Sequence, residues 1–169
     1  MMNTNGRRVS DSRIILTQAM GVTEANVLGN VHGGVIMKLC DEAGGMAAIK
    51  HARRPMVTVA VDSMSFHSPV HIGNLLTVKA EVTWVGRTSL ETRLVVTSED
   101  IVSGEVTHTN TAYYVYVALG EDGNTVEVPR LICETDEEKR LWEEGAARQA
   151  LRLERRRQER PISIVNNGQ

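Results

Sequence analysis

A segment of about twenty residues, from residue 32 or 33 to residue 50, most constrains the fold of this chain. Its apolar side chains point in almost every direction of a helical wheel, and a helix that is apolar all round is typical of a protein core. Gly44 and Gly45 interrupt this helix, each at roughly 1 kcal/mol relative to alanine. Asp41 places a carboxylate among the apolar residues, where an unpaired charge is costly. These departures from simple folding rules predict a functional site on a buried helix.

Alternating apolar and polar residues predict four β-strands after this helix. The strands span residues 56–64, 75–85, 89–98 and 107–119, and a shorter apolar run at 13–19 precedes the helix. In the longest strand, one face carries Tyr113, Val115, Val117 and Leu119, and the other carries His108, Asn110, Ala112 and Tyr114. A strand, a helix and then a run of antiparallel strands predict an α+β domain, in which a curved antiparallel sheet wraps around a long central helix.

Beyond Pro129 the sequence becomes strongly charged. Thr135 and Glu138 have the spacing of a capping box, which predicts a helix from there to about Arg160. Acidic residues crowd its start and arginines its end, an order that complements the helix dipole. We interpret the arginine-rich end as a solvated face. We therefore predict a folded domain over residues 10–130, a charged C-terminal helix over 131–160 and a disordered tail over 161–169.

The overall composition argues against several classes of partner. A net charge of −2 gives no electrostatic reason to expect binding to nucleic acid or to a membrane. Cys40 and Cys133 have no CxxC partners, so neither a structural disulfide nor a metal site is expected. The N-terminal residues lack a secretory signal, and no apolar run approaches the ~20 residues of a membrane helix. These features predict a cytoplasmic protein.

The helix start and Asp41 together suit the hydrolysis of an acyl group. Free backbone amides at His32, Gly33 and Gly34 can stabilise developing negative charge, and a carboxylate about two turns away can act as a general base. Structural interpretations stay open at this point. Asp41 could pair with Lys38, His32 could simply cap the helix, and the glycines could serve helix–sheet packing.

Five motifs follow one another along the chain. They are Asn26-x-x-Gly-Asn-x-His-Gly-Gly, Lys38-x-x-Asp-Glu-Ala-Gly, Val59-Ala-Val-Asp-Ser-Met-x-Phe, Val85-Gly-Arg-Thr-Ser and Ala112-x-Tyr-x-Tyr-Val-Ala. In this order and spacing they resemble the hotdog-fold acyl-CoA thioesterases, specifically the cytosolic acyl-CoA hydrolase group, and the resemblance covers most of residues 13–130.

The resemblance implies a hotdog fold and hydrolysis of fatty acyl-CoA to free fatty acid and coenzyme A. It implies that Asp41 is the general base or the nucleophile and that Asn26 of the opposite subunit positions water or substrate. Amides around Gly33 and Gly34 would polarise the thioester carbonyl, with His32 orienting the site.

The resemblance further implies that the hairpin of Gly86, Arg87, Thr88 and Ser89 contacts the phosphates of coenzyme A, a task for which arginine is well suited. The partners implied are acyl-CoA and a second copy of the chain, assembled as a homodimer or a hexameric trimer of dimers. No cofactor is implied, because coenzyme A is part of the substrate and product.

Two other functions fit the sequence less well. A hotdog hydratase or dehydratase acting on enoyl thioesters would use an Asp/His pair, but Glu24 stands where that motif has aspartate. A non-catalytic acyl-CoA sensor would need a DNA-binding extension, and only about a dozen mostly polar residues precede the first predicted strand.

Overall fold

The structure is a computed structural model that describes residues 6–62 and 64–158. Its elements are β1 (Arg7–Arg8), α1 (Val9–Ser12), β2 (Ile14–Ala19), a 3₁₀ turn (Val22–Glu24), α2 (Gly33–Ala52), β3 (Met56–Val61), β4 (Leu75–Val85), β5 (Ser89–Glu99), β6 (Val106–Ala118), β7 (Leu131–Ile132) and α3 (Asp136–Gln158). The tail predicted over 161–169 lies outside the described residues.

α2 packs against one curled antiparallel sheet. Its strand order is β2-β4-β5-β6-β3, and each neighbouring pair is antiparallel. A separate parallel pair, β1 and β7, lies outside it. β3 is at the sheet edge and pairs with β6, with a register shift between Thr58 and Ala60. This arrangement confirms the predicted α+β class and the hotdog fold.

α2 is buried along one side only. Ile36, Leu39, Cys40, Ala43 and Ala47 form the side that packs on the sheet. The expectation that α2 is buried on every side is wrong for the single chain, because none of the described elements covers its opposite face. That face exposes apolar side chains to 41–47%, together with the carboxylate-bearing Asp41. The exposed apolar residues are Met37, Met46 and Ile49.

Both faces of β6 are covered by helices. The alternating sequence pattern did not indicate which side chains face which helix. Tyr114 and Tyr116 lie on the face toward α2, where their hydroxyls donate to backbone carbonyls of that helix. The ring of Tyr113, on the other face, lies 3.6 Å from the guanidinium of Arg148 in α3. A strand covered on both sides has no single apolar face, so its alternation gives little information about orientation.

Gly44 marks the closest approach of α2 to the sheet. An added Cβ would lie 2.5 Å from Tyr116 Oη and 2.9 Å from Thr92 Oγ1. The packing interpretation of this glycine is therefore confirmed. We expect Gly44→Ala to lower the free energy of unfolding by about 1–3 kcal/mol, because overpacking outweighs the better helix propensity of alanine.

The neighbouring Gly45 provides a matched control. A Cβ there would meet only the Tyr116 ring, at 3.7 Å. We expect Gly45→Ala to leave the free energy of unfolding unchanged or to raise it by up to about 1 kcal/mol. Urea denaturation of both variants measures the difference, and equal losses in the two would contradict this account of Gly44.

His51, near the end of α2, is fully buried, and its Nε2 donates to the Pro129 carbonyl oxygen at 2.9 Å. Burial lowers the pKa of His51 below its ordinary 6.5, against the opposing effect of that hydrogen bond. The unfolded chain therefore binds the proton more readily, so stability falls as the pH drops below the unfolded value. The nearby charges of Arg7 and Asp11 act on the ring in opposite directions.

We expect His51→Gln, which keeps a hydrogen-bond donor and removes the titration, to weaken this pH dependence. Urea denaturation at about pH 7.5 and about pH 5.5 measures the change in unfolding free energy for each protein. The decrease in unfolding free energy between the two pH values should be smaller in His51→Gln than in the wild type. An equal loss in both proteins would show that His51 does not contribute.

α3 begins as predicted, with Thr135 as its cap. Thr135 Oγ1 accepts from the Glu138 amide at 3.1 Å, and Glu138 Oε2 accepts from the Thr135 amide at 3.2 Å. The interpretation of its arginine-rich end as a solvated face is wrong for Arg148 and Arg152. Both guanidinium groups bind Glu91, a carboxylate of β5 with no exposed surface.

Candidate active site

Asp41 lies on the uncovered face of α2, where strand β3 supplies its hydrogen-bond partner. Thr58 Oγ1 donates to Asp41 Oδ1 at 2.6 Å. Tyr116 Oη donates to the Asp41 backbone carbonyl at 3.1 Å and lies 3.4 Å from Oδ1. The alternative pairing with Lys38 is wrong, because Lys38 binds Glu42 at 3.3 Å. The carboxylate is therefore oriented by hydroxyl donors and has no cation bound to it among the described residues.

Two ionisable neighbours of Asp41 remain protonated at neutral pH. Burial, and then the charge of Asp41, raises the pKa of the Cys40 thiol to about 12. The same two causes raise the pKa of the Tyr116 hydroxyl. Cys40 is therefore a small core residue rather than a nucleophile, and Tyr116 is a donor toward Asp41.

The start of α2 is capped by its own sequence. His32 is the N-cap, and its Nδ1 accepts from the Gly34 amide at 2.9 Å. This confirms the capping interpretation of His32 and corrects the expectation that the Gly34 amide is free. The Gly33 amide has no hydrogen-bond partner in the described part of the chain. The Phe66 ring covers this residue, 3.5 Å from the position that a Cβ of Gly33 would take.

Asn26 organises the loop before α2. Its Oδ1 accepts from the Leu28 amide at 2.8 Å and from the Asn30 amide at 3.2 Å. Its side-chain Nδ2 donates no hydrogen bond to any described residue. No hydrogen bond joins Asn26 to Asp41 within the described chain, so one subunit alone does not bring these two predicted residues into contact.

The hairpin of Gly86, Arg87, Thr88 and Ser89 connects β4 and β5 as predicted. The Gly86 amide donates to the Ser89 carbonyl at 2.8 Å. The carbonyls of Arg87 and Thr88 accept from Val128 and Ala118 at 3.0 and 2.9 Å. The backbone of the hairpin is thus fixed by two neighbouring segments, while the Arg87 side chain is exposed.

The family model of the thioesterase superfamily matches residues 28–105. The crystal structure of an acyl-CoA hydrolase from Bacillus cereus superposes with a TM-score of 0.87 and 32% sequence identity, covering 91% of this chain and 94% of that one. The chain belongs to the thioesterase superfamily.

Other members of the thioesterase superfamily are also similar to this chain. The human cytosolic acyl coenzyme A thioester hydrolase is 33% identical over 150 residues, which is 88% of this chain. The chain spans only 40% of the length of that human protein. A hexameric acyl-CoA thioesterase of known structure has a TM-score of 0.85 and 36% identity, covering 89% of this chain and 97% of that one. The resemblance drawn from the motifs is thus confirmed.

The sequence analysis missed Thr58. It included Phe66 and Tyr116 in two of the matched motifs but gave neither of them a role in the site. A signal for Thr58 was present, because it is the only polar residue in the six-residue strand β3. No local pattern indicates that Phe66 covers Gly33, because the contact joins residues far apart in sequence.

Within the described residues, no group of three or more histidine, cysteine, aspartate or glutamate side chains could hold a metal ion. None of the described helices is long and apolar enough to span a membrane.

Proposed function

We propose that this protein hydrolyses fatty acyl-CoA thioesters to free acid and coenzyme A. The observation that carries the proposal is the Asp41 carboxylate, oriented by Thr58 and Tyr116 on an uncovered helix face. Membership of the thioesterase superfamily and the names of the human and Bacillus cereus relatives support this activity.

The chemistry follows from the position of the carboxylate. As a general base, Asp41 accepts a proton from water while the water oxygen attacks the thioester carbonyl carbon. The tetrahedral intermediate then expels the coenzyme A sulfur, which takes up the proton as a thiol. As a nucleophile, Asp41 would instead attack the carbonyl carbon and expel the coenzyme A thiolate, which takes a proton from solvent, and water would then cleave the resulting mixed anhydride to free acid and the Asp41 carboxylate. In either case Thr58 holds one carboxylate oxygen, leaving the other available.

The thioester carbonyl oxygen of the substrate needs hydrogen-bond donors, and we propose the Gly33 amide as one of them. This amide lies at the N-terminus of a twenty-residue helix, where the helix dipole favours negative charge. His32 holds the helix start in place by accepting from Gly34. We propose that His32 orients the site and transfers no proton.

A second copy of the chain is proposed to complete the site. β3 is an edge strand, and an unpaired edge is a template for pairing with another chain. Val57, Val59 and Val61 on this strand are 40–43% exposed, although they are apolar. Pairing of two β3 strands would cover them and bring the Asn26 loop of one copy toward Asp41 of the other. The hexameric relative supports further assembly into a trimer of dimers.

The nucleotide part of coenzyme A is proposed to bind at the hairpin of residues 86–89. Arg87 is exposed there on a backbone fixed by two neighbouring segments, so it can form charge-assisted hydrogen bonds to phosphate. We propose that coenzyme A enters only as part of substrate and product, with no further cofactor. The name of the human relative and the unpaired cysteines support a cytoplasmic location.

A thiol-release assay tests this proposal. Purified protein is mixed with acyl-CoA substrates from acetyl to palmitoyl, and free thiol is measured with a thiol-reactive dye. Thiol release that is saturable in acyl-CoA is expected. Hydration of an enoyl-CoA without thiol release would indicate the hydratase instead, and tight binding of acyl-CoA without turnover would indicate a sensor.

A further inference from the structure

Four charged side chains form a cluster on the outer face of the sheet, away from α2. Glu91 of β5 accepts from Arg148 at 2.7 Å and also binds Arg152, both on α3. Arg152 in turn donates through Nε and Nη2 to the two carboxylate oxygens of Asp62, each at 3.0 Å. We call these four residues the Glu91 cluster. They join the C-terminal helix to the residue that directly follows β3.

The Glu91 cluster is shielded from solvent at its centre, while the side chains of Arg148 and Asp62 at its rim are 22% and 24% exposed. The Glu91 side chain has no exposed surface, and the Arg152 side chain is 12% exposed. Burial opposes the charge of Arg152, but the hydrogen bonds and charges of Asp62 and Glu91 outweigh it and raise the pKa of the guanidinium. Buried ion pairs contribute little net stability relative to apolar residues of similar volume. Their advantage is geometric, because a guanidinium fork fixes the direction of a carboxylate.

Asp62 is the point at which this cluster reaches the proposed active site. Its amide donates to the Tyr113 carbonyl of β6 at 3.0 Å, so the residue is held from two sides. Four residues earlier, Thr58 donates to Asp41. Four residues later, Phe66 covers Gly33 at the start of α2. In sequence, Asp62 therefore lies midway between Thr58, which orients the Asp41 carboxylate, and Phe66, which covers Gly33.

Strand β3 needs such an anchor. The strand is six residues long, and its pairing with β6, its one neighbour within the described chain, shifts register next to Thr58. Such a shift interrupts the backbone hydrogen-bond ladder and bends the strand locally, and the proposed pairing with a second β3 does not remove it. Fixing Asp62 limits the movement of Thr58 relative to Asp41.

We infer that Arg152 is a positioning residue for the proposed thioester hydrolysis. Acting through Asp62, it holds β3 in the position at which Thr58 orients the Asp41 carboxylate. Arg152 does not touch the reacting atoms. This inference rests on the proposed function, and its test separates the two.

The test compares Arg152→Gln, Arg152→Lys and Asp62→Asn with the control Arg155→Gln. Arg155 is an exposed arginine one turn further along α3, with no ion pair to any described residue. For Arg152→Gln, we expect kcat to fall roughly tenfold with KM within about twofold, because small misplacement of a catalytic group lowers the rate of the chemical step. Arg152→Lys should recover part of kcat, Asp62→Asn should resemble Arg152→Gln, and the control should match the wild type.

A second readout does not depend on activity. Hydrogen–deuterium exchange of the peptide covering residues 56–62 should be faster in Arg152→Gln than in the wild type and the control. A purely structural role would lower the melting temperature and leave kcat of the folded protein unchanged, which would overturn the inference. If Arg152→Gln fails to fold, Arg152→Lys and Asp62→Asn decide by the same criteria.

The two proposals fail in distinguishable ways. A wild-type protein that releases no thiol from any acyl-CoA would overturn the proposed function. In that case, faster exchange in β3 would still support the anchoring of the strand, and unchanged exchange would overturn it too. An active wild type whose kcat and β3 exchange do not respond to Arg152→Gln would overturn the positioning role alone.

Discussion

Asp41→Asn is expected to lower kcat for acyl-CoA hydrolysis by at least about a hundredfold, because an amide can neither accept the proton of water nor attack the thioester. The fold should be unaffected. Asp41 is exposed in the single chain, and Thr58 can donate to an amide oxygen in the same position. Thiol release measures the activity, and thermal melting measures the fold.

Glu42→Gln is the matched control for Asp41→Asn. Glu42 is the next residue on α2, is exposed, and pairs only with Lys38 at 3.3 Å among the described residues. Surface ion pairs of this kind contribute about 0–1 kcal/mol to the free energy of unfolding. We expect Glu42→Gln to keep its kcat within about twofold of the wild type. Near-normal kcat in Asp41→Asn would contradict the proposed mechanism, as would an equal loss in both variants.

Glu91→Ala is expected to produce the largest loss of stability, about 3 kcal/mol, because it leaves two partly buried guanidinium groups, whose side chains are 22% and 12% exposed, without their shared carboxylate. Arg148 and Arg152 would keep only partial compensation from Asp62 and from the more exposed Glu144. The Thr83 hydroxyl would lose its acceptor, which lies at 3.1 Å. Urea denaturation monitored by tryptophan fluorescence measures the effect, since α3 packs against Trp84.

Glu81→Ala is the control for the stability prediction. Glu81 of β4 also binds an arginine across the chain, Arg13 at 3.0 Å, but the Arg13 side chain is 55% exposed. Solvent screens such a pair, and its loss should lower the free energy of unfolding by about 1 kcal/mol or less. Similar losses in Glu81→Ala and Glu91→Ala would show that burial of the Glu91 cluster has no special role.

The sheet was predictable because strand periodicity depends on local sequence. The predicted segment at 75–85 is β4 to the residue, and alternate side chains from Leu76 to Val82 are fully or almost fully buried. The capping box of α3 was likewise readable from Thr135 and Glu138 alone. Such features need only neighbours in the chain, so their sequence signals are strong.

The environment of Asp41 was not predictable from periodicity. A helix that is apolar all round signals burial, but the sequence does not say whether the chain itself or a second copy covers each face. In the single chain one face of α2 packs on the sheet, while Met37 and Ile49 remain exposed beside Asp41. The burial that the apolar pattern predicted is therefore observed on one face of α2 only.

The Glu91 cluster was missed for a related reason. Arginines near a helix end are typical of a solvated, dipole-complementing surface. The partner of Arg148 lies 57 residues earlier, in the middle of an alternating strand. Pairing over that separation depends on where α3 crosses the sheet, and no local pattern encodes the crossing.

Mixing two inactive variants most directly tests the central claim that two subunits build each site. Asn26→Ala and Asp41→Ala proteins are each expected to lose most activity. Combined in equal amounts under conditions of subunit exchange, they should recover about a quarter of wild-type thiol release, because half of the dimers carry one intact site. No recovery, with exchange confirmed by labelled subunits, would contradict the shared site.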